Sequence, residues 1–301
     1  MNKTSILKKL ILDDDILVMP GAHDALSSKI IEIVGFKAVT MGGYAASGAS
    51  LAKPDVSLLT LTEYVNIARN IVQAVDLPLF VDGDTGHGNV TNVQRTVREF
   101  EKAGVAGLFI EDQVYPKRCG HMEGKQIIPT AEMAAKIKAA VDARVDEDLV
   151  IMARTDAIAV SGIDEAIERG NIYREAGADM IFVEAPTSRE EMVRVNREIK
   201  APTLAIQIEG GKTPLLHTKE LEELGFKVVV YPNATVYATA WALKELWGGL
   251  MRDGTTRNFM DRMICFDDFN NLVGLDKIRE LETHYYKDLF ESVCPFLINS
   301  R

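Results

Sequence analysis

Residues 111–125 read EDQVYPKRCGHMEGK and gather an unusual density of reactive side chains. Glu111 and Asp112 stand at the end of an apolar run. Lys117, Arg118, Cys119 and His121 then fall within five residues, beside Gly120 and Gly124. A thiol ringed by potential cations is expected to ionise more readily than a free one. Cys119 is therefore a candidate proton donor or nucleophile. The competing use of the same residues is an exposed loop with a solvated charge cluster.

Other acids and bases end apolar runs in the same way. Asp82 and Asp84 are two apart, which on a strand puts them on one side. Carboxylates facing one opening repel unless a cation lies between them. A hard divalent ion with oxygen ligands and water, Mg²⁺ or Mn²⁺, answers that need, and Glu111 can join it. Helix capping is the ordinary alternative for aspartates after a strand. Arg154 offers a fork to a carboxylate, and Glu184 can orient it. His87, after Asp-Thr-Gly, reads as a loop residue rather than a base. Gly210-Gly211-Lys212 can cradle an anion with backbone N–H groups, and His217 carries no assigned role.

The elements that must position these groups follow from the pattern. Apolar runs rich in Val, Ile and Phe recur at 16–20, 36–43, 77–84, 105–112, 149–156, 178–185, 201–208 and 226–233. They read as strands buried on both faces of a parallel sheet. Helical spacing marks 23–34, 59–75, 89–103, 130–144, 163–176 and 188–199, several closed by a glycine. Thr130, Ser188 and Thr218 are candidate caps. Eight alternations predict a (β/α)8 barrel, whose chemistry belongs at the C-terminal strand ends. A doubly wound open sheet is the runner-up, but no glycine-rich dinucleotide fingerprint follows the first run. We expect one domain over 1–301, with the barrel at about 16–248. A C-terminal helical extension over 249–301 carries apolar and aromatic residues such as Phe259, Phe266, Tyr285, Leu289 and Phe290.

The chain has 301 residues, 47% hydrophobic and 26% charged, with a net charge of −10. Without a Lys/Arg stripe, nucleic acid is not an expected partner. Cys119, Cys265 and Cys294 are few and far apart, which fits a reducing compartment rather than a disulfide framework. There is no secretory signal pattern and no run of roughly 18 apolar residues, so a cytoplasmic protein without a membrane span is expected.

Taken together, Gly42-Gly43, Pro54-Asp55, VDGDTGHG from Val81, IEDQ from Ile110, KRCGH from Lys117, ARTDA from Ala153 and Glu184-Ala185 carry a resemblance. The chain resembles the isocitrate lyase / phosphoenolpyruvate mutase superfamily from about residue 16 to 235. KRCGH is similar to its carbon–carbon lyase branch. The resemblance implies a (β/α)8 barrel with its last helix exchanged between subunits, commonly in a homotetramer. It implies that Asp82 and Asp84 hold Mg²⁺ (Mn²⁺ in its place), supported by Asp55 and Glu111. Arg154 and the Met41, Gly42 and Gly43 backbone would bind the substrate carboxylate, with Gly120 close by. Cys119 would act as general acid, tuned by Lys117, His121 and Glu184.

Departures from the family pattern narrow the expectation. Tricarboxylate lyases of this branch carry an Arg where Tyr237 stands, and Asn and Thr where Ile206 and Ile208 stand. A methyl-bearing 2-hydroxy dicarboxylate such as 2,3-dimethylmalate, split to pyruvate and propionate, fits better. Cleavage of 2-methylisocitrate or hydrolysis of oxaloacetate is the alternative. A non-catalytic ligand-binding barrel is the alternative of another class. The family's Tyr before Gly-Gly aligns with Val39, which leaves the base unassigned; Tyr44 is a substitute candidate.

Overall fold

The computed structural model describes residues 2–293, with side chains through residue 287. Cys294 and the side chains of Leu289 and Phe290 lie outside the described residues. The chain divides into two compact units, one ending at Thr239 and one beginning at Ala240, inside the helix Ala234–Asp253.

Each apolar run becomes a short strand: β1 (Leu17–Pro20), β2 (Val39–Met41), β3 (Leu79–Asp82), β4 (Gly107–Glu111), β5 (Val150–Thr155), β6 (Met180–Val183), β7 (Thr203–Ile206) and β8 (Val228–Tyr231). Neighbours pair in parallel in the order β1-β8-β7-β6-β5-β4-β3-β2. The two ends of that order meet beyond the strands. Gly21 bridges Thr40, and the Ala22 N–H donates to the Thr40 carbonyl at 2.8 Å. The result is a nearly closed (β/α)8 barrel, as the alternation predicts.

The helices start where short polar side chains satisfy their first N–H groups. Asp24 with Ser27 and Thr60 with Glu63 form reciprocal capping boxes. Gly35, at φ 101°, closes the helix Ala25–Val34 in the left-handed region. Ser188 caps its helix, but Thr130 and Thr218 lie inside their first turns, behind Pro129 and His217. His217 thus has a capping role, its Nδ1 accepting from the Lys219 N–H at 3.2 Å. Among the described residues no helix is long and apolar enough to cross a membrane.

The apolar residues form two layers. The larger lies between strands and helices; Phe100 of the helix Val90–Lys102 is fully buried in it. Phe100→Ala should cost about 3–5 kcal/mol. That loss is read as a lower urea midpoint, and an unmoved midpoint would mean this helix unfolds apart from the barrel. The smaller layer fills the barrel interior with Phe80, Phe109, Met152, Phe182, Leu204 and Val230, with Leu7 and Ile11 of the helix Lys3–Leu12 in the same cluster.

One alternation along the strands decides the character of the rim. Residues two apart share a face, so the inward face changes from Phe80 to Asp82, Phe109 to Glu111, Met152 to Arg154 and Phe182 to Glu184. Across the barrel, after β7 and β8, the same register stays apolar: Ile206 to Ile208, and Val230 to Pro232.

Candidate active site

The rim encloses a cavity of about 560 Å³, counting its part open to solvent. Asp55, Asp82, Cys119, Gly120, Arg154 and Glu184 line one side. Leu204, Ile206, Ile208, Val230 and Pro232 line the other, with Gly42, Gly43, Tyr44 and Asn233 between.

The aspartates are held by backbone and by Lys117. Asp82 accepts from the Gly43 N–H at 3.0 Å and from the Asp84 N–H at 2.8 Å. A Cβ on Gly43 would stand 2.6 Å from Tyr64 Oη and 2.9 Å from Asp82 Oδ2, so only glycine permits this approach. Asp84 has φ 49°, a sparsely populated conformation for a residue with a side chain, of the sort that clusters at functional sites. Lys117 Nζ donates to both Asp55 oxygens at 2.8 and 2.7 Å and lies 3.0 Å from Asp84 Oδ1. Those carboxylates hold the Lys117 ammonium well above its usual range against its own burial.

Arg154 is fixed on every side. Asp156 takes its Nε at 2.9 Å and Nη2 at 3.2 Å. Glu111 lies 3.3 Å from Nε and Glu184 3.5 Å from Nη1. Its guanidinium stands over the rings of Phe109 and Phe182, 5.6 and 5.2 Å from their centroids. Below Asp156, Asp112 accepts from Thr155, Tyr173 and Arg169 and from the Asp156 N–H at 2.9 Å.

The Cys119 loop is folded over the cavity. Its backbone N–H donates to the Asp55 carbonyl at 3.1 Å. His121 Nδ1 accepts from the Lys212 N–H at 2.9 Å, which ties this loop to the one after β7. Lys125 donates to the Gly120 carbonyl and pairs with Asp156 at 3.1 Å. His121 Nε2 lies 3.3 Å from Glu184 Oε1, near but unaligned for a hydrogen bond. Burial, with Arg154, Lys125 and Lys212, pushes the His121 imidazole down to about 4, so it is neutral near pH 7.

The readily ionised thiol expected from the cation count is overturned. Burial, aided by Glu184 and Asp55 against a backbone hydrogen bond and Arg154, pushes Cys119 up to about 11. Lys117 is committed to aspartates and His121 is uncharged, so burial outweighs the one favourable cation, Arg154. A protonated buried thiol is the form a general acid requires.

The carboxylates suit a hard cation that keeps water. Asp84 Oδ2 and both Glu111 oxygens are buried without a hydrogen-bond partner among the described residues. Asp55, Asp82, Asp84, Glu111, Asp156 and Glu184 outnumber the cations Lys117, Lys125 and Arg154. Among the described residues no three Asp, Glu, His or Cys side chains form a ready ligand cluster. Mg²⁺ commonly uses one or two carboxylates and fills its octahedron with water and substrate, so the donors fit it. Asp55 differs from the expected ligand role, because both its oxygens face Lys117.

The structure brings Asp82, Asp84, Glu111, Arg154, Glu184, Lys117, Cys119, Gly120 and His121 together at one rim. Met41 is buried in the outer core and only its neighbours line the cavity. Tyr237 does not line it; its ring packs edge-on against Tyr44, centroids 5.9 Å apart. Tyr64, Lys125, Asp156 and Asn233 were not picked out from sequence. Asp156 and Lys125 sit inside motifs quoted above, whereas no local pattern marks Tyr64 or Asn233.

Residues 7–250 match the family described as phosphoenolpyruvate phosphomutase. The chain is 53% identical over 285 residues to the 2,3-dimethylmalate lyase of Eubacterium barkeri, covering 95% of this chain and 99% of that one. A crystal structure of a 2,3-dimethylmalate lyase superposes with a TM-score of 0.91 at 32% identity, covering 97% of this chain and 98% of the other. A phosphonopyruvate hydrolase crystallised with oxalate and Mg²⁺ superposes with a TM-score of 0.87 at 30% identity, covering 95% and 99%. A charged rim around a shielded thiol, on a barrel matched along nearly its whole length, has one assignment: the chain belongs to the phosphoenolpyruvate mutase / isocitrate lyase superfamily.

Proposed function

We propose that the chain is a Mg²⁺-dependent carbon–carbon lyase that splits 2,3-dimethylmalate into pyruvate and propionate. The observation that carries this reading is the unlike pair of cavity walls. A 2-hydroxy acid head needs charge, which Arg154 and the Gly42–Gly43 backbone provide. Methyl groups need dry aliphatic contact, which Ile206, Ile208 and Val230 provide. A tricarboxylate such as 2-methylisocitrate would set a further anion against those aliphatic residues, at a desolvation cost nothing there offsets.

Asp82, Asp84 and Glu111 would hold the cation, with Asp55 acting through Lys117. When bound, Mg²⁺ supplies the charge that makes the substrate hydroxyl more acidic and favours the alkoxide. Arg154, locked by Asp156, orients the carboxylate of the oxo-acid half. The folded loop excludes water, and Cys119 gives its Sγ proton to the carbon left behind. Proposed assembly is a homotetramer exchanging C-terminal helices, supported by the family resemblance and by Trp241, Trp247, Met251 and Phe266 in the second unit. A cytoplasmic location is supported by the sparse cysteines.

Pyruvate release tests the reading. Turnover should be highest on 2,3-dimethylmalate, lower on 2-methylisocitrate and oxaloacetate, abolished by EDTA and restored by Mg²⁺. No pyruvate from 2,3-dimethylmalate under any metal condition sinks it.

A further inference from the structure

Resting on the lyase reading, we infer that Asn233 is a catalytic residue: its side-chain amide binds the carboxylate that departs as propionate and stabilises the charge that gathers there. Asn233 lies just after β8, next to Pro232, and lines the cavity where its aliphatic side begins. It is 2% exposed, and its Oδ1 is buried without a hydrogen-bond partner among the described residues.

An asparagine in front of a helix ordinarily caps it, Oδ1 accepting an N–H of the first turn. Here the helix Ala234–Asp253 begins with the Asn233 carbonyl accepting from the Tyr237 N–H at 3.0 Å, and among the described residues Oδ1 accepts no N–H of the first turn. Among the described residues, the one hydrogen-bond neighbour of its side chain is Tyr237 Oη, 3.5 Å from Nδ2. The two ends of an amide exchange places by a rotation that leaves its shape unchanged. Turned over, Oδ1 accepts from the Tyr237 hydroxyl and the NH₂ takes the unpartnered position, where it needs an acceptor. Among the lining side chains, Arg154 has its role at the other end of the substrate, and Cys119 is committed to protonating C3. Ile206, Ile208, Val230 and Pro232 offer no donor at all. An anionic carboxylate held against that wall without a donor would carry a large desolvation cost.

The chemistry makes the site more than a binding pocket. As the C2–C3 bond breaks, its electron pair passes to C3 and spreads into the adjoining carboxylate, which becomes an enediolate. The hydroxyl hydrogen leaves O2 as the C2=O bond forms. Cys119 gives its proton to C3, and the proton from O2 restores the thiol, so pyruvate and propionate account for every atom. Charge therefore grows on the carboxylate that Asn233 faces, where a fixed neutral donor is worth most.

The test compares Asn233→Leu and Asn233→Asp with the wild-type enzyme. Asn233→Leu should lower kcat on 2,3-dimethylmalate by about 10²–10³-fold, as loss of one oxyanion donor does. Succinate, which presents a second carboxylate, should bind both variants about tenfold or more weakly by calorimetry. Pyruvate, which occupies only the Arg154 end, should bind unchanged. Near wild-type kcat, or unchanged succinate binding by a folded Asn233→Asp protein, overturns the assignment. A parallel loss of pyruvate affinity also overturns it, by showing a general collapse of the cavity. If the wild-type enzyme releases no pyruvate, the lyase reading fails separately, and the succinate and pyruvate arms still judge the carboxylate site.

Discussion

Replacing Cys119 by serine lowers turnover of 2,3-dimethylmalate by about 10²–10⁴-fold, the range general acid catalysis supplies, and leaves pyruvate and Mg²⁺ binding intact. The thiol is kept protonated by burial, at about 11, and a serine hydroxyl is a far weaker acid. It occupies nearly the same volume, so the Cys119 N–H to Asp55 carbonyl bond survives. Steady-state kcat beside calorimetric titration of pyruvate separates chemistry from binding. Full turnover by the serine variant would remove Cys119 from the proton transfer.

Gly120→Ala should cost about 10²-fold in kcat/KM, the scale of a small misplacement of reacting groups. A Cβ on Gly120 would collide with Glu184 Oε1 and with Arg154 Nη2. Neither can retreat: Arg154 is gripped by Asp156 and bracketed by Phe109 and Phe182, and Glu184 is buried beside it. The loop must lift instead, which exposes the cavity and Cys119. Faster alkylation of Cys119 by iodoacetamide, with an unchanged circular-dichroism spectrum, identifies that cause. Wild-type kcat/KM in the alanine variant would show that the loop tolerates the added atom.

The barrel was legible because buried parallel strands leave continuous apolar runs, and each of the eight runs holds one strand. Helices with strong periodicity were legible too. The helix Gly43–Leu51 was not, since GYAASGASL is made mostly of small residues with no apolar stripe. The acids at the strand ends could be read from position alone. Their partners could not, because they meet through space: Lys117 reaches Asp55, 62 residues earlier. The same blindness inverted the expectation for Cys119. Neighbouring cations are visible in a sequence, but the carboxylates that claim them and the burial of the thiol are not. Asn233 escaped notice for a related reason, since its lack of a capping bond is a fact of geometry.

The packed interior of the barrel has a kinetic consequence. Phe80, Phe109, Met152 and Phe182 fill the tube beneath Arg154, and Leu7 and Ile11 belong to the same apolar cluster. No molecule passes through such a stopper. Whatever enters at the rim must leave there, and a reactant cut in two has both pieces departing through the one opening that the Cys119 loop covers.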